Sequence, residues 1–536
     1  MKRKVLSVVL AAAMVFSMAA CGNNDAGNEG NSGNSGSDVN TPTAAPSSDN
    51  GGGSSAEATP APTEDPRSEG EKLADQYNGF VETPMDLNGR TIRIAASVGT
   101  RYNYAKDANG NDDPDNTNEA TIEIVKIMEQ IEADYNCKFE IIPSMKGKDI
   151  VQNLYMGMTS GEAYCDILDE GVSDTYLDQI MDMKMVMPLD DPQIADIIKL
   201  DTNPWTAQSD YGIFQGTQYA VNFVTNNSSN ILRNALLFNI ELAEQYGLGD
   251  LYSMVKDGTW TWAKFEEMCE TITKQSDGSV VPAGYGKENL LFPMTVFSNG
   301  GTIANLVDGH HVYTGTDERT LEAGQWIYDL REKGYLAPNW TVKVDDGNGG
   351  TKNVLVEGGI DVAGFAAGQC VFYFDFYGDL QKLTQGTQET SYTFGLLPHP
   401  LGPYYSDQGA DVCKENYHGV TYSADMKMIV AGVEKPEEVA AVLVAIANRT
   451  SKPADKVLEV EMRDTLGDEE SGDMLMIMYN DMRSDYSRMF TGHKIGSISN
   501  WILKLEKTPM QAFEEVASET QLLYDGTETH YKVTFE

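Results

Sequence analysis

The chain has 536 residues and carries 81 Asp and Glu against 39 Lys and Arg, a net charge of −42. Nucleic-acid binding and docking on anionic lipid both need clustered Lys and Arg, so this balance argues against either and disfavours acidic partners generally. The length predicts two or more domains, or two lobes sharing one chain.

The chain opens with Lys2, Arg3 and Lys4, then an apolar run from Val5 to Ser17, then Ala19 and Ala20 before Cys21. This is the layout of a secretory signal peptide over 1–20, too short for a membrane span. Met18-Ala19-Ala20-Cys21 resembles a bacterial lipobox, which implies a lipidated Cys21 as the new N-terminus. Residues 22–70 contain no Ile, Leu, Met or aromatic residue. They cannot bury enough apolar surface to offset ordering entropy, so 21–70 reads as a lipidated cysteine plus a disordered linker. Such a linker spans roughly 35–40 Å.

The body begins with an alternating strand at Thr91–Ser97, followed by a helix over about 119–135 with Ile124, Ile127, Met128 and Ile131 on one face. A strand at 138–143 follows, then helical spacing of Ile150, Leu154 and Met158, then a strand at Cys165–Asp169. Strands alternating with helices predict a parallel sheet covered by helices. Farther on come a buried strand at 235–239, a helix over about 240–246, and a helix capped by Thr261 with Trp262, Phe265, Met268, Cys269 and Ile272 as its apolar stripe. Trp260 and Trp262 read as packing residues. A helix over about 317–333 precedes an aromatic strand at 368–377, a strand at 393–398, a strand at 427–430 and a helix from Pro436 to Asn448. The stretch 453–525 reads as largely helical. No other run is long and apolar enough for a membrane span.

Five cysteines follow Cys21, an odd number at wide spacing and without a CxxC pair. This fits no disulfide framework and leaves one or two disulfides, or buried free thiols, as alternatives. HExxH, GxSxG and P-loop motifs are absent, and the six histidines are scattered. Asp107, Asn109 and Asn111 share the spacing of an EF-hand loop. Position six is Asp112 rather than Gly and position twelve is Asn118 rather than Glu, so a solvated acidic loop is the reading and no metal or cofactor is assigned.

Several stretches in order resemble the extracellular solute-binding proteins of bacterial ABC importers, the group that includes the maltose-binding type. They are Tyr164-Cys165-Asp166-Ile167-Leu168, Met187-Pro188-Leu189-Asp190, Gly216-Thr217-Gln218-Tyr219-Ala220-Val221, Leu237-Phe238-Asn239, Gly258-Thr259-Trp260-Thr261-Trp262, Gly368-Gln369-Cys370-Val371-Phe372, Phe394 to Pro400 and Lys435-Pro436-Glu437-Glu438-Val439-Ala440. The resemblance implies a two-lobed α/β fold of the class II type, each lobe a mostly parallel sheet flanked by helices, joined by a hinge. The N-terminal lobe is expected over 85–222 with part of 360–425, and the C-terminal lobe over 226–355 with part of 426–536. It implies a monomeric, lipid-anchored protein at the outer face of the cell membrane, which captures a carbohydrate and delivers it to ABC permease subunits without catalysis. A surface glycoside hydrolase or lyase, and a receptor for a peptide or a cation, are the alternatives.

A sugar cleft needs flat apolar faces for C–H surfaces and amides or carboxylates for hydroxyls, and in open α/β sheets ligands sit beyond the carboxyl ends of strands. The candidate ligand contacts are Tyr102, Asp169, Glu170, Trp205, Asn222, Phe223, Tyr285, Phe297, Trp340, Asp375, Phe376 and Tyr377. Phe223 and Trp340 are expected to touch the sugar without holding the fold together.

Overall fold

The computed structural model describes residues 67–96, 119–142, 147–171, 176–223, 235–345, 350–375, 383, 392–421, 424–450 and 469–526. Cys21, Tyr102, Phe376, Tyr377 and the acidic loop 107–115 lie outside the described residues. Two four-stranded sheets organise the body. Their strands, in chain order, are β1 (Arg90–Ala96), β2 (Cys137–Ile142), β3 (Ile167–Gly171), β4 (Ala235–Asn239), β5 (Val281–Tyr285), β6 (Cys370–Asp375), β7 (Phe394–Leu397) and β8 (Asp425–Ile429).

The first sheet runs β8-β3-β1-β2. β1 pairs parallel with both β2 and β3, while β8 closes the edge antiparallel to β3. Parallel neighbours need a crossover, and the helices Glu119–Asp134 and Gly147–Ser160 supply it. Ile124, Met128 and Ile131 of the first helix are buried in the same core as Ile92 and Ile94 of β1, as the helical spacing requires.

The second sheet runs β7-β4-β6-β5, with β5 and β6 parallel and β4 antiparallel to both β6 and β7. Its two faces serve different cores. Leu236, Phe238, Phe372 and Phe374 point into the larger core, which includes Trp260, Phe265 and Trp326. Leu237 and Tyr373 point into a smaller one with Phe365, Leu475 and Met478. The period of two along each strand produces this division. Trp262 stacks on Trp326 with centroids 4.5 Å apart, so both early tryptophans are packing residues.

The lobe boundaries differ from the expectation at one stretch. Segment 360–425, expected to lend part of itself to the N-terminal lobe, gives β6 and β7 to the second sheet. Every residue of β6 is buried, which suits an interior strand, and β6 lies between β4 and β5. The first lobe instead takes β8 and the helical stretch 436–450. That stretch is buried on all sides from 438 to 450, and Val439 to Ala447 run unbroken through the first core. The helices Glu469–Asn480, Ile495–Leu503 and Pro509–Tyr524 pack mainly on the second lobe.

Within the expected linker, Ser68 and Glu71 form a capping box on the helix Glu69–Gln76. The segment that follows is pinned by a buried carboxylate. Glu82 accepts from Arg449 Nε at 2.9 Å and Nη2 at 2.8 Å, from Asn448 Nδ2 at 2.9 Å and from the Tyr135 hydroxyl at 3.0 Å. With its acceptor sites filled this way, a buried charge is held without an orphaned lone pair.

All five described cysteines (Cys137, Cys165, Cys269, Cys370 and Cys413) are free and buried, so the thiol alternative is the one found. Burial pushes each thiol above its ordinary value, which leaves them unreactive.

Three histidines, His311, His399 and His418, are also buried, and His493 is half-buried. Desolvation pulls His399 down to about 3 and His311, His418 and His493 down to about 4. A histidine depressed in the folded state takes up its proton more readily in the unfolded chain. It therefore favours folding above pH 6.5 and loses that contribution as pH falls toward 4. Asp485 and Asp210, raised by burial, act in the opposite sense. With four groups against two, the melting temperature should fall as pH drops from 7.5 to 5.5. Each fully titrating histidine contributes up to about 1.4 kcal/mol per pH unit. Calorimetric scans across that range check this; a flat or rising profile contradicts it.

Candidate functional site

The carboxyl end of the first sheet brings several of the expected residues into one cluster. β3 ends in Asp169-Glu170-Gly171, and β8 pairs Lys427 opposite Asp169 and Met426 opposite Glu170. Alternation puts Asp169 and Glu170 on opposite faces, both buried. Beyond β8 lies Val221, joined to Lys427 by reciprocal backbone bonds of 3.0 and 2.8 Å. This extra rung carries the chain into Asn222 and Phe223.

Lys427 is the centre of the cluster. Its side chain and that of Asp169 are each 0 % exposed, and Nζ lies 3.8 Å from Asp169 Oδ1. Nζ also donates to the Asp425 carbonyl at 2.9 Å and sits 4.6 Å over the Phe223 ring. A buried ammonium needs this kind of enclosure, a carboxylate plus a carbonyl plus an aromatic face. Asn222 ties the same strands together: Nδ2 donates to the Asp425 carbonyl at 2.9 Å, and its backbone N–H donates to Ser209 Oγ at 2.8 Å. Its Oδ1 accepts from the Thr206 hydroxyl. Trp205 is half-buried, edge-on to Phe80 at 4.7 Å and 6.3 Å from Phe223.

The second sheet brings together a smaller group. β5 and β6 end side by side at Tyr285 and Asp375, with Tyr285 in register with Phe374. Gly286 follows Tyr285 and its N–H donates to the Phe374 carbonyl at 2.8 Å. A Cβ at Gly286 would lie 2.1 Å from Asp375 Oδ2, so the carboxylate rests on bare backbone that only glycine provides. Asn339 clips this turn: Nδ2 donates to the Tyr285 and Gly286 carbonyls at 2.6 and 2.8 Å, and its N–H donates to the Tyr285 hydroxyl at 3.3 Å. The next residue, Trp340, is half-buried and lies 5.4 Å from the Arg331 guanidinium and 5.7 Å from Lys504 Nζ. Phe297 stands apart from these residues, buried on the helix Glu288–Ser298 with its ring 6.4 Å from His418.

Crossing segments connect the lobes. One is the stretch of chain between Phe223 and β4, which lies outside the described residues. A second is a parallel pair of short strands, Gly419–Thr421 and Met482–Ser484. Tyr211 from the first lobe donates its hydroxyl to the carbonyls of Thr421 at 2.8 Å and Asp485 at 3.2 Å. Arg483 binds the Tyr405 hydroxyl at 2.8 Å and Asp481 at 3.0 Å on the second-lobe side.

The described groups are aromatic faces, amides and carboxylates, of which Asp169, Glu170, Asn222, Phe223, Tyr285 and Asp375 are buried. Among the described residues no group of three or more His, Cys, Asp or Glu is placed to hold a metal ion. Sequence reading missed Lys427 and Asn339. The signal for Lys427 was present, a single cation inside the apolar strand Met426-Lys427-Met428-Ile429, which has no solvated face to use. Asn339 left none, since its role depends on a turn from another strand.

No protein-family model matches the chain, and no curated protein sequence matches it. Solved structures do share its fold. The sugar-binding protein MalE from Xanthomonas citri superposes with a TM-score of 0.51 at 10% identity, covering 81% of this chain and 97% of that one. The cyclic alpha-maltosyl-1,6-maltose binding protein from Arthrobacter globiformis gives a TM-score of 0.50 at 10% identity, covering 82% of this chain and 100% of that one. At this identity the likeness is one of fold. The two-lobed α/β architecture expected from the ordered motifs is the one present.

Burial revises the expectation that Phe223 is dispensable for folding, because it is 2% exposed and packed between Trp205 and Lys427. Phe223→Ala should cost about 3–5 kcal/mol. Lys427→Ala, which removes the cation beside the buried Asp169 carboxylate, should cost about 3–5 kcal/mol, whereas a Lys427→Met, Asp169→Leu pair should recover most of it. Urea unfolding checks all three; a Lys427→Ala protein as stable as the parent contradicts the assignment.

Proposed function

We propose that this chain is a solute-binding protein that captures a carbohydrate between its lobes and hands it, unaltered, to the permease subunits of an ABC importer. The observation that carries this reading is the fold: two sheets with their strands' carboxyl ends leading into crossing segments, the architecture shared with the two sugar-binding proteins above. Ligand that touches both lobes stabilises the closed arrangement over the open one, and the difference between those affinities drives closure. The acidic balance of the chain favours a neutral sugar over an acidic one. Cys21 carries a lipid that holds the monomer at the outer face of the membrane, with the polar linker lifting the body clear of it.

Titration calorimetry with maltodextrins, other neutral oligosaccharides, uronates and peptides tests the ligand class. A neutral oligosaccharide should bind saturably and be recovered intact by chromatography. Accumulating shorter sugars would make the protein an enzyme, and binding of peptides alone would overturn the carbohydrate reading. In cells that produce the full chain, incorporation of labelled palmitate should vanish in Cys21→Ser; incorporation that persists contradicts the anchor.

A further inference from the structure

Two tight hairpins meet tip to tip. In the first lobe Ile213–Phe214 pairs with Thr217–Gln218 around Gln215-Gly216. The other follows Ile303 of the second-lobe core and pairs Ala304–Val307 with His310–Tyr313 around Asp308-Gly309, with Ala304 already in the first-lobe core. Both are two-residue turns with positive φ at each central residue: 49° and 78° at Gln215 and Gly216, 50° and 78° at Asp308 and Gly309. This is the mirror-image turn that two-residue hairpins favour, which makes each tip short and stiff.

The tips are bonded to each other. Gly216 N–H donates to the Gly309 carbonyl at 2.9 Å, and His310 Nδ1 lies 3.0 Å from Gln215 Oε1. A Cβ at Gly309 would stand 2.7 Å from the Gly216 Cα, so the backbones touch where a side chain would separate them. The helix Pro509–Tyr524 backs the contact from both sides. Its Phe513 lies in the second-lobe core and its Tyr524 in the first. Gln215 Nε2 donates to the Tyr524 carbonyl at 3.1 Å, and Gln521 accepts from Tyr313 N–H at 2.8 Å while donating to the His311 carbonyl at 3.2 Å. The hairpin is further held by the buried His311 ring, 5.0 Å from Phe490 and 5.6 Å from Tyr486.

Its position matters. Val221 is antiparallel to β8, and β8 is antiparallel to β3, so the Val221 stretch runs parallel to β3. Residues before Val221 therefore lie toward the amino ends of the first-sheet strands, away from the carboxyl ends where Asp169 and Phe223 sit. The lobes are thus joined by the crossing segments and, separately, by this contact.

We propose that the paired turns form a clasp that restrains lobe movement in the ligand-free protein, so that motion is bending about a fixed seam rather than loose separation. The clasp rests on the two-lobed fold and not on the identity of the solute.

The test uses the full chain without ligand, spin-labelled once in each lobe at the exposed positions Glu129→Cys and Glu270→Cys in a Cys21→Ser background. Pulsed electron resonance should give a narrow interlobe distance distribution for this parent. Gln215→Ala with His310→Ala removes the side-chain bonds at partly or fully exposed sites and should broaden it. Gly309→Val, which forces the tips apart, should broaden it further, with unfolding monitored separately by circular dichroism. A distribution of unchanged width in the folded double variant overturns the clasp, whether or not any sugar binds. A broadened distribution together with no carbohydrate binding would keep the clasp and discard only the solute.

Discussion

The pairing of β8 with β3 is the constraint from which the rest follows. The chain builds the first sheet, leaves it at Phe223, completes the second sheet, and only then returns through Asp425–Ile429. Antiparallel addition of that returning strand places Lys427 beside Asp169 and beside Val221, so departure and return share one edge. A sheet completed by a strand from far along the chain cannot close until the second lobe has been threaded. Two lobes built this way are coupled through backbone hydrogen bonds rather than through a flexible linker.

That edge also explains why a lysine is tolerated in a fully buried strand. Removing an ammonium from water costs several kcal/mol, and Asp169, the Asp425 carbonyl and the Phe223 ring together offset it. The same three groups fix the direction in which Asn222 and Phe223 leave the sheet. In the second lobe the bare backbone of Gly286 under Asp375 and the Asn339 clip shape the corresponding edge. The carboxyl edge of each sheet is thus shaped by contacts within its own lobe.

Much of the fold was legible in the sequence because it is written in short-range periodicity. The 3.6-residue stripe of Glu119–Asp134 and the Thr261 cap of the helix Trp262–Ser276 need no knowledge of partners. The allegiance of β6 was not legible, since an all-apolar strand states that it is interior without stating to which sheet. Of the described candidate contacts, Asp169, Glu170, Tyr285 and Asp375 stand at strand ends and Phe297 lies on a helix, yet Asp169, Phe223, Tyr285 and Asp375 are buried. A residue type announces what it can recognise, but exposure is decided by neighbours brought from hundreds of residues away, as Lys427 is to Asp169.

The central claim is that the two lobes close on a solute as rigid bodies. Small-angle X-ray scattering of the full chain, with and without a saturating oligosaccharide whose binding calorimetry has verified, tests it most directly. The account predicts a smaller radius of gyration for the bound protein, with no loss of helix or strand by circular dichroism. Superimposable scattering curves at verified saturation would contradict it.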